Sequence, residues 1–370
     1  QNHSTKRLGF AIQNIQSHLF NQTHCHFYRR YASSSAAATA CSPYHQMDES
    51  DGGAADTQLS SISSSSAVVR IYNSLDQGCL SYERSWAWQQ VLLSRRLEQR
   101  RRSPQASTTE EGEDHDCVLF LEHAPVYTLG RGADEAHLTF LQAKDKCENG
   151  GGNGETQEEI ERMRQKLSRK ARGPGTARLS VDRRMENQIV DLLSVQDAMD
   201  RLAELACPVE APNGVPIFRV ERGGEVTFHG PSQLVVYPMF DLKRAPFRAD
   251  LHWYLRMVEE VVIRTLAHYD IHGSRDEINT GVWVDSNKVA AVGISSSRWI
   301  TTHGFALNID PDLSFFDTDI ILPCGIQGRG VTSMAQILRE RGFSQMPTTN
   351  QVASVVISKM EEVFAVQLQE

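Results

Sequence analysis

Arg222–Leu242 reads RGGEVTFHGPSQLVVYPMFDL and carries more local constraint than any other stretch of the chain. The paired Gly223 and Gly224 admit positive φ and close approach of the backbone to a ligand. Thr227, Phe228 and His229 read as a short strand ending at Gly230-Pro231, and Leu234 to Tyr237 as a buried strand stopped by Pro238. Two strands with a glycine-rich entrance, and an arginine and a histidine pointing into it, make one wall of a pocket. A β-hairpin with a surface histidine fits the same residues, because a lone Gly-Gly is weak as a motif.

Upstream, Val68 to Tyr72 is a short β-rich run, and after the Asp76-Gln77-Gly78 turn Tyr82, Trp86, Gln89 and Leu93 fall near one face of a helix. The basic run Arg95-Arg96 to Arg102 reads as a solvated helix end, with a docking site for an acidic carrier protein as the sharper alternative. Cys117 to Leu121 and Val126 to Gly130 predict two buried strands joined at Pro125, with Cys117 acting as a small apolar residue. Residues 142–190 read as a polar insertion. Asn149 to Gly154 is almost all Gly and Asn, and Glu155 to Arg172 is dense in both charges, which predicts exposure rather than core. Ile189 to Leu205 regains helical apolar spacing.

Downstream, Leu251 to Tyr269 predicts an amphipathic helix with Leu251, Leu255, Val258, Val262, Leu266 and Tyr269 on its buried face. Gly281 to Val284 and Lys288 to Gly293 flank Asp285-Ser286-Asn287, a hairpin signal. A further strand runs from Trp299 to Ile309, Pro323-Cys324-Gly325 lies in a loop before a helix near Thr332 to Arg341, and Asn350 to Phe364 predicts a last packing helix.

Three ordered motifs carry a family resemblance. Arg222-Gly223-Gly224 with Thr227, His229 and Gln233 resembles the RGGxxTxHxxxQ signature of lipoyl(octanoyl) transferases, and KVAAVG from Lys288 and PCG at Cys324 follow in the family's order. Leu121 to Arg131 is similar to the family's LEHxPVxTLGR stretch, and Tyr82, Trp86 and Gln89 to its Tyr-x₃-Trp-x₂-Gln helix. The likeness spans roughly Val68 to Met334. It implies one α/β (α+β) domain over 67–370, a mixed β-sheet with flanking helices similar to biotin and lipoate protein ligase catalytic domains. It implies an enzyme that moves octanoyl from octanoyl-acyl carrier protein to a lysine of lipoyl domains, those of 2-oxoacid dehydrogenase E2 subunits and of the glycine cleavage H protein. An ATP-dependent lipoate–protein ligase and a non-catalytic lipoyl-domain or carrier-protein binding module are the competing readings.

Acyl transfer between two proteins calls for a nucleophile that keeps the acyl group activated while one partner leaves and the other arrives, and a cysteine thioester does this. The resemblance assigns that role to Cys324 and its activation to the ammonium of Lys288. Unaided, the residues point instead to His229 or His303 as a base. The resemblance also places Arg222, Gly223, Gly224, Glu225, Val226, Thr227, Phe228 and His229, then Ala291, Val292 and Gly293, then Gly304, Phe305 and Ala306, along the acyl and pantetheine site. Small residues there allow a narrow tunnel, and exposed N–H groups would hold a thioester oxygen. No cofactor is expected, and no His/Cys/Asp grouping has metal-ligand spacing.

The balance of charge, −8 over 370 residues, argues against nucleic acid as a main partner and leaves any acidic carrier to a local basic patch. Seven scattered cysteines without CxxC spacing fit a reducing compartment. No apolar run approaches the roughly 18 residues of a membrane-spanning helix. Residues 1–47 hold no Asp or Glu, carry Lys6, Arg7, Arg29 and Arg30, and space Leu8, Ile12, Ile15 and Leu19 as a helix does. That is the composition of an organellar transit peptide, mitochondrial in preference to plastid, running into a Ser/Ala-rich linker up to residue 66.

Overall fold

Along Ala67–Asn73 (β1) buried Val69 and Ile71 alternate with more exposed neighbours, whereas Cys117–Leu121 (β2), apolar throughout, is buried throughout. The two strands are parallel, and the helix Tyr82–Arg102 (α1) makes the crossover. The structure is a computed structural model that describes residues 67–102, 116–143, 157–167, 209–322 and 329–370. The remaining elements are β3 (Val126–Leu129), α2 (Phe140–Ala143), α3 (Gln157–Leu167), β4 (Val209–Glu210), β5 (Pro216–Arg219), β6 (Val226–His229) and β7 (Gln233–Met239). They continue with α4 (Leu251–His268), β8 (Ser274–Arg275), β9 (Val282–Val284), β10 (Asn287–Ser297), β11 (Ile300–Asn308), α5 (Met334–Glu340), α6 (Thr349–Phe364) and β12 (Val366–Gln369).

Eight strands form a mixed sheet in the order β12-β1-β2-β7-β11-β10-β9-β8, and four more a second sheet in the order β4-β5-β3-β6. The large sheet is covered differently on its two faces. On one, Val118, Phe120, Leu234, Val236, Val292, Phe305 and Leu307 bury Tyr254, Val258, Val262 and Leu266 of α4 and Val352, Val356, Met360 and Phe364 of α6. On the other, Leu119, Val235, Tyr237 and Ala306 meet Trp88 and Leu93 of α1. Each fully buried Leu, Val or Phe contributes about 1.5–3 kcal/mol. The paired residues Ala291↔Ala306 and Gly293↔Gly304 put a patch of small side chains on the second face. That patch is where the site forms.

Several expectations are corrected. Strands β6 and β7 do not form a hairpin; the turn through Ser232, at φ 61, passes the chain from the small sheet to the large one. Pro238 does not stop its strand. It lies inside β7 opposite Val118, at a break in the pairing with β11: the ladder stops at Phe305↔Val236, His303 takes φ 59, and the two chains bond again where Thr301 N–H donates to Phe240 O, so a missing N–H costs no ladder bond. The basic run is not simply a solvated end, since Arg96 is buried against Asp116 and Arg100 reaches Asp241. The stretch 157–167, expected to be exposed, is a helix whose Ile160 and Leu167 are buried against the small sheet. On α4, Leu251 is 39% exposed while Tyr254, Val261 and Thr265 face inward, so the buried stripe is rotated from the expected one. Strand β12, which pairs in parallel with β1, was not anticipated. Residues 1–66 and Ile189–Leu205 lie outside the described residues.

Candidate active site

The Arg222 loop is fixed before any ligand arrives. Its guanidinium donates to Thr128 O (2.8 Å), Thr128 Oγ1 (2.7 Å), Gly223 O (2.9 Å) and Glu225 O (3.0 Å). The loop backbone then lies directly on two strands, and glycine is required at each contact. A Cβ on Gly130 would stand 1.9 Å from Gly224 O, and one on Gly293 would stand 2.9 Å from Arg222 Cδ and 3.0 Å from Gly223 O. Gly224 itself has φ 88, open to glycine at no steric cost.

Between this loop and the small-residue patch of β10 and β11 is a cavity of about 250 Å³. Of the residues expected at the site, Arg222, Gly224, Glu225, Val226, Thr227, His229, Ala291, Val292, Gly293, Gly304, Phe305 and Ala306 line it, as does Lys288. Two do not. Gly223 spends its N–H on Ile294 O at 3.0 Å, and Phe228 turns to the far side of β6, stacked at 4.5 Å on Phe315. Strand alternation explains Phe228: Thr227 and His229 face the cavity, so the residue between them cannot. Tyr82, Val235, Tyr237, Ile278, Asn279, Thr280 and His303 also line the cavity. Of these, His303 is the histidine the sequence offers as a candidate base, and Tyr82 falls on the periodic face of α1; the others carry no site signal in the sequence.

Three buried histidines gather at the cavity: His229 and His303 line it, and His123 packs behind His229 and Tyr237. His123 Nδ1 faces Leu80 O at 3.2 Å, which can only accept, so Nδ1 carries the proton and Nε2 accepts from Tyr237 at 2.8 Å. His229 Nδ1 likewise donates to Gln233 Oε1 at 2.8 Å. His303 Nε2 meets Tyr82 Oη at 3.2 Å, and among the described residues its Nδ1 has no hydrogen-bond partner. Burial lowers all three imidazoles, His123 to about 4 and His303 to about 3; His229 falls well below the ordinary histidine value from burial first, then from His123 and Arg222. At neutral pH they are dipoles, not acids. Burial also raises the phenols of Tyr82 and Tyr237.

At the rim, Lys288 is held by its main chain and its side chain. Its N–H donates to Gly330 O and its carbonyl accepts from Thr332 N, both at 3.0 Å. Nζ donates to Thr280 O at 2.9 Å and lies 4.7 Å from the centre of the Trp283 ring, a cation–π contact worth about 0.5–2 kcal/mol. Arg329 lies over the same ring, also at 4.7 Å, and bonds Asp276 at 2.5 Å. Cys324 lies in residues 323–328, outside the described residues, and the chain is described again from Arg329. Among the described residues no group of His, Cys, Asp and Glu could hold a metal ion, and no helix is long and apolar enough to cross a membrane.

The arrangement sets the small residues Ala291, Gly293, Gly304 and Ala306 and the ammonium of Lys288 around one cavity. The family described as "Lipoyl protein ligase A/B catalytic domain" matches residues 196–361. A protein of Synechococcus sp. named octanoyltransferase is 38% identical over 299 residues, covering 79% of this chain and 86% of the relative. One of Gloeobacter violaceus with the same name is 34% identical over 293 residues, covering 79% and 90%. The solved structure of lipoate-protein ligase A bound with ATP gives a TM-score of 0.46 at 12% identity, over 83% of this chain and 88% of that one.

Proposed function

From the premise that this chain belongs to the octanoyltransferase family, we propose that it takes octanoyl from octanoyl-acyl carrier protein and passes it to the lysine of a lipoyl domain through a thioester on Cys324. The observation that carries the reading is the 250 Å³ cavity lined by Ala291, Gly293, Gly304 and Ala306, with Lys288 at its rim. The Cys324 thiolate attacks the pantetheine thioester carbonyl, and the carbon–sulfur bond to pantetheine breaks as the Lys288 ammonium protonates the departing sulfur. The lipoyl-domain amine then attacks the acyl-cysteine, the Cys324 thiolate leaves, and Lys288, now neutral, takes the proton shed by the new amide. A cation beside Cys324 also favours thiolate, which otherwise amounts to a few per cent near neutral pH. The natural acceptors on this reading are E2 subunits of 2-oxoacid dehydrogenases and the glycine cleavage H protein.

Intact-mass measurement after mixing with octanoyl-acyl carrier protein tests the scheme without ATP. An octanoyl adduct lost in Cys324→Ser supports it. A requirement for ATP would turn the reading to a lipoate–protein ligase, and an adduct persisting on another cysteine would move the nucleophile. The acid-free composition of residues 1–47 supports a mitochondrial address. The cyanobacterial source of the two relatives favours a plastid instead, and fractionation of a tagged chain with and without residues 1–66 separates the two.

A further inference from the structure

Glu259 stands mid-way along α4 with none of its surface exposed. A buried carboxylate is costly unless its oxygens are used. Oε2 accepts from Arg256 Nη1 at 2.8 Å and lies 3.4 Å from Arg275 Nε. Oε1 accepts the Gly281 N–H at 3.0 Å. That last bond has no helix-packing purpose, because Gly281 belongs to the segment leading into β9.

The peptide unit concerned joins Thr280 to Gly281, and its other end is the Thr280 carbonyl that accepts from Lys288 Nζ at 2.9 Å. In a planar trans peptide the N–H and C=O point in opposite directions, so Glu259 and Lys288 are bound to the two ends of one rigid group. An anion drawing on the N–H also makes the carbonyl a better acceptor for an ammonium. Gly281 holds this plane against the lysine stem. At φ 128, a Cβ there would be 2.7 Å from Ala290 O and 3.2 Å from Lys288 Cε. Glu260, next in the chain, pairs with Arg264 and Arg275 on the partly exposed side and makes no such connection.

We propose that Glu259 is a positioning residue for Lys288, acting through the 280–281 peptide to aim the ammonium at the cavity entrance. What Lys288 does there rests on the function proposed above; that Glu259 aims it does not.

The experiment measures acetylation of the Lys288 ε-amine by limiting acetic anhydride, read by mass spectrometry, alongside steady-state octanoyl transfer. Glu259→Leu removes the acceptor at similar volume. It should raise Lys288 labelling several-fold and lower kcat on the order of 10- to 100-fold with the KM for octanoyl-acyl carrier protein little changed, the cost of misplacing a reacting group by an ångström or less. Glu259→Gln keeps an oxygen for the Gly281 N–H and should stay near the parent in labelling. Should Glu259→Leu not fold, Glu259→Asp decides, since it keeps the buried charge but withdraws it from Gly281 by one methylene. Labelling equal to the parent in Glu259→Leu, or in Glu259→Asp should the leucine variant not fold, overturns the proposal. If Lys288→Ala forms acyl-enzyme normally, the role given to Lys288 fails instead, and the labelling result stands on its own.

Discussion

Lowering the pH from 7.5 to 5.0 should destabilise this protein through the buried imidazoles in and behind the cavity wall. The folded state holds His123 at about 4 and His303 at about 3, against about 6.5 in an unfolded chain. Below pH 6.5 the unfolded state therefore binds more protons. Stability is full above that value and is lost, as the pH falls towards the folded values, at about 1.4 kcal/mol per pH unit for each residue. By pH 5.0 that amounts to about 2 kcal/mol each and about 4 kcal/mol together, out of the 5–15 kcal/mol typical of a folded domain. His229 acts in the same direction. Glu221 opposes them, because burial raises its carboxyl and the folded state takes up that proton first as the pH falls. The contribution of a single histidine is isolated by comparing the parent with His303→Asn, asparagine being a residue that tolerates the φ of 59 found there. Urea unfolding followed by tryptophan fluorescence at both pH values should show the variant losing about 2 kcal/mol less than the parent. Equal losses would mean that His303 is not held neutral by burial.

Ala291→Leu should fill the cavity from β10, so that transfer of octanoyl falls while transfer of a shorter acyl group falls less. At about 0.8 kcal/mol per methylene, hexanoyl starts roughly 15-fold behind octanoyl in the parent, and kcat/KM for the two donors should show that preference shrinking. Gly130→Ala should cost about 2–4 kcal/mol, because its Cβ meets the Gly224 carbonyl at 1.9 Å with backbone on both sides; an unchanged melting temperature would contradict this contact. Ile160→Ala should cost about 2–4 kcal/mol if α3 packs on the small sheet as described, whereas a freely tolerated substitution would return 157–167 to the exposed insertion the composition suggested.

Local physics, legible in the chain, supplied most of the elements. Apolar runs, the Asp285-Ser286 turn at φ 54 and the periodicity of α1 and α6 each follow from residues within a few positions of one another. The family resemblance named most of the residues that line the cavity, down to the Gly293 and Gly304 pair, which local rules read as weak strand. What the sequence could not yield were facts that depend on residues meeting from far apart. Whether Phe228 or its neighbours face the cavity depends on the sheet that β6 joins, and whether α3 is exposed depends on a sheet distant in sequence. The same holds for the buried pairs: Tyr82 with His303 is separated by 221 residues and Glu259 with Gly281 by 22. Charge on a helix and histidine on a strand look alike whether solvated or buried, and only the fold, by removing water from His303 and Glu259, settled what each can do.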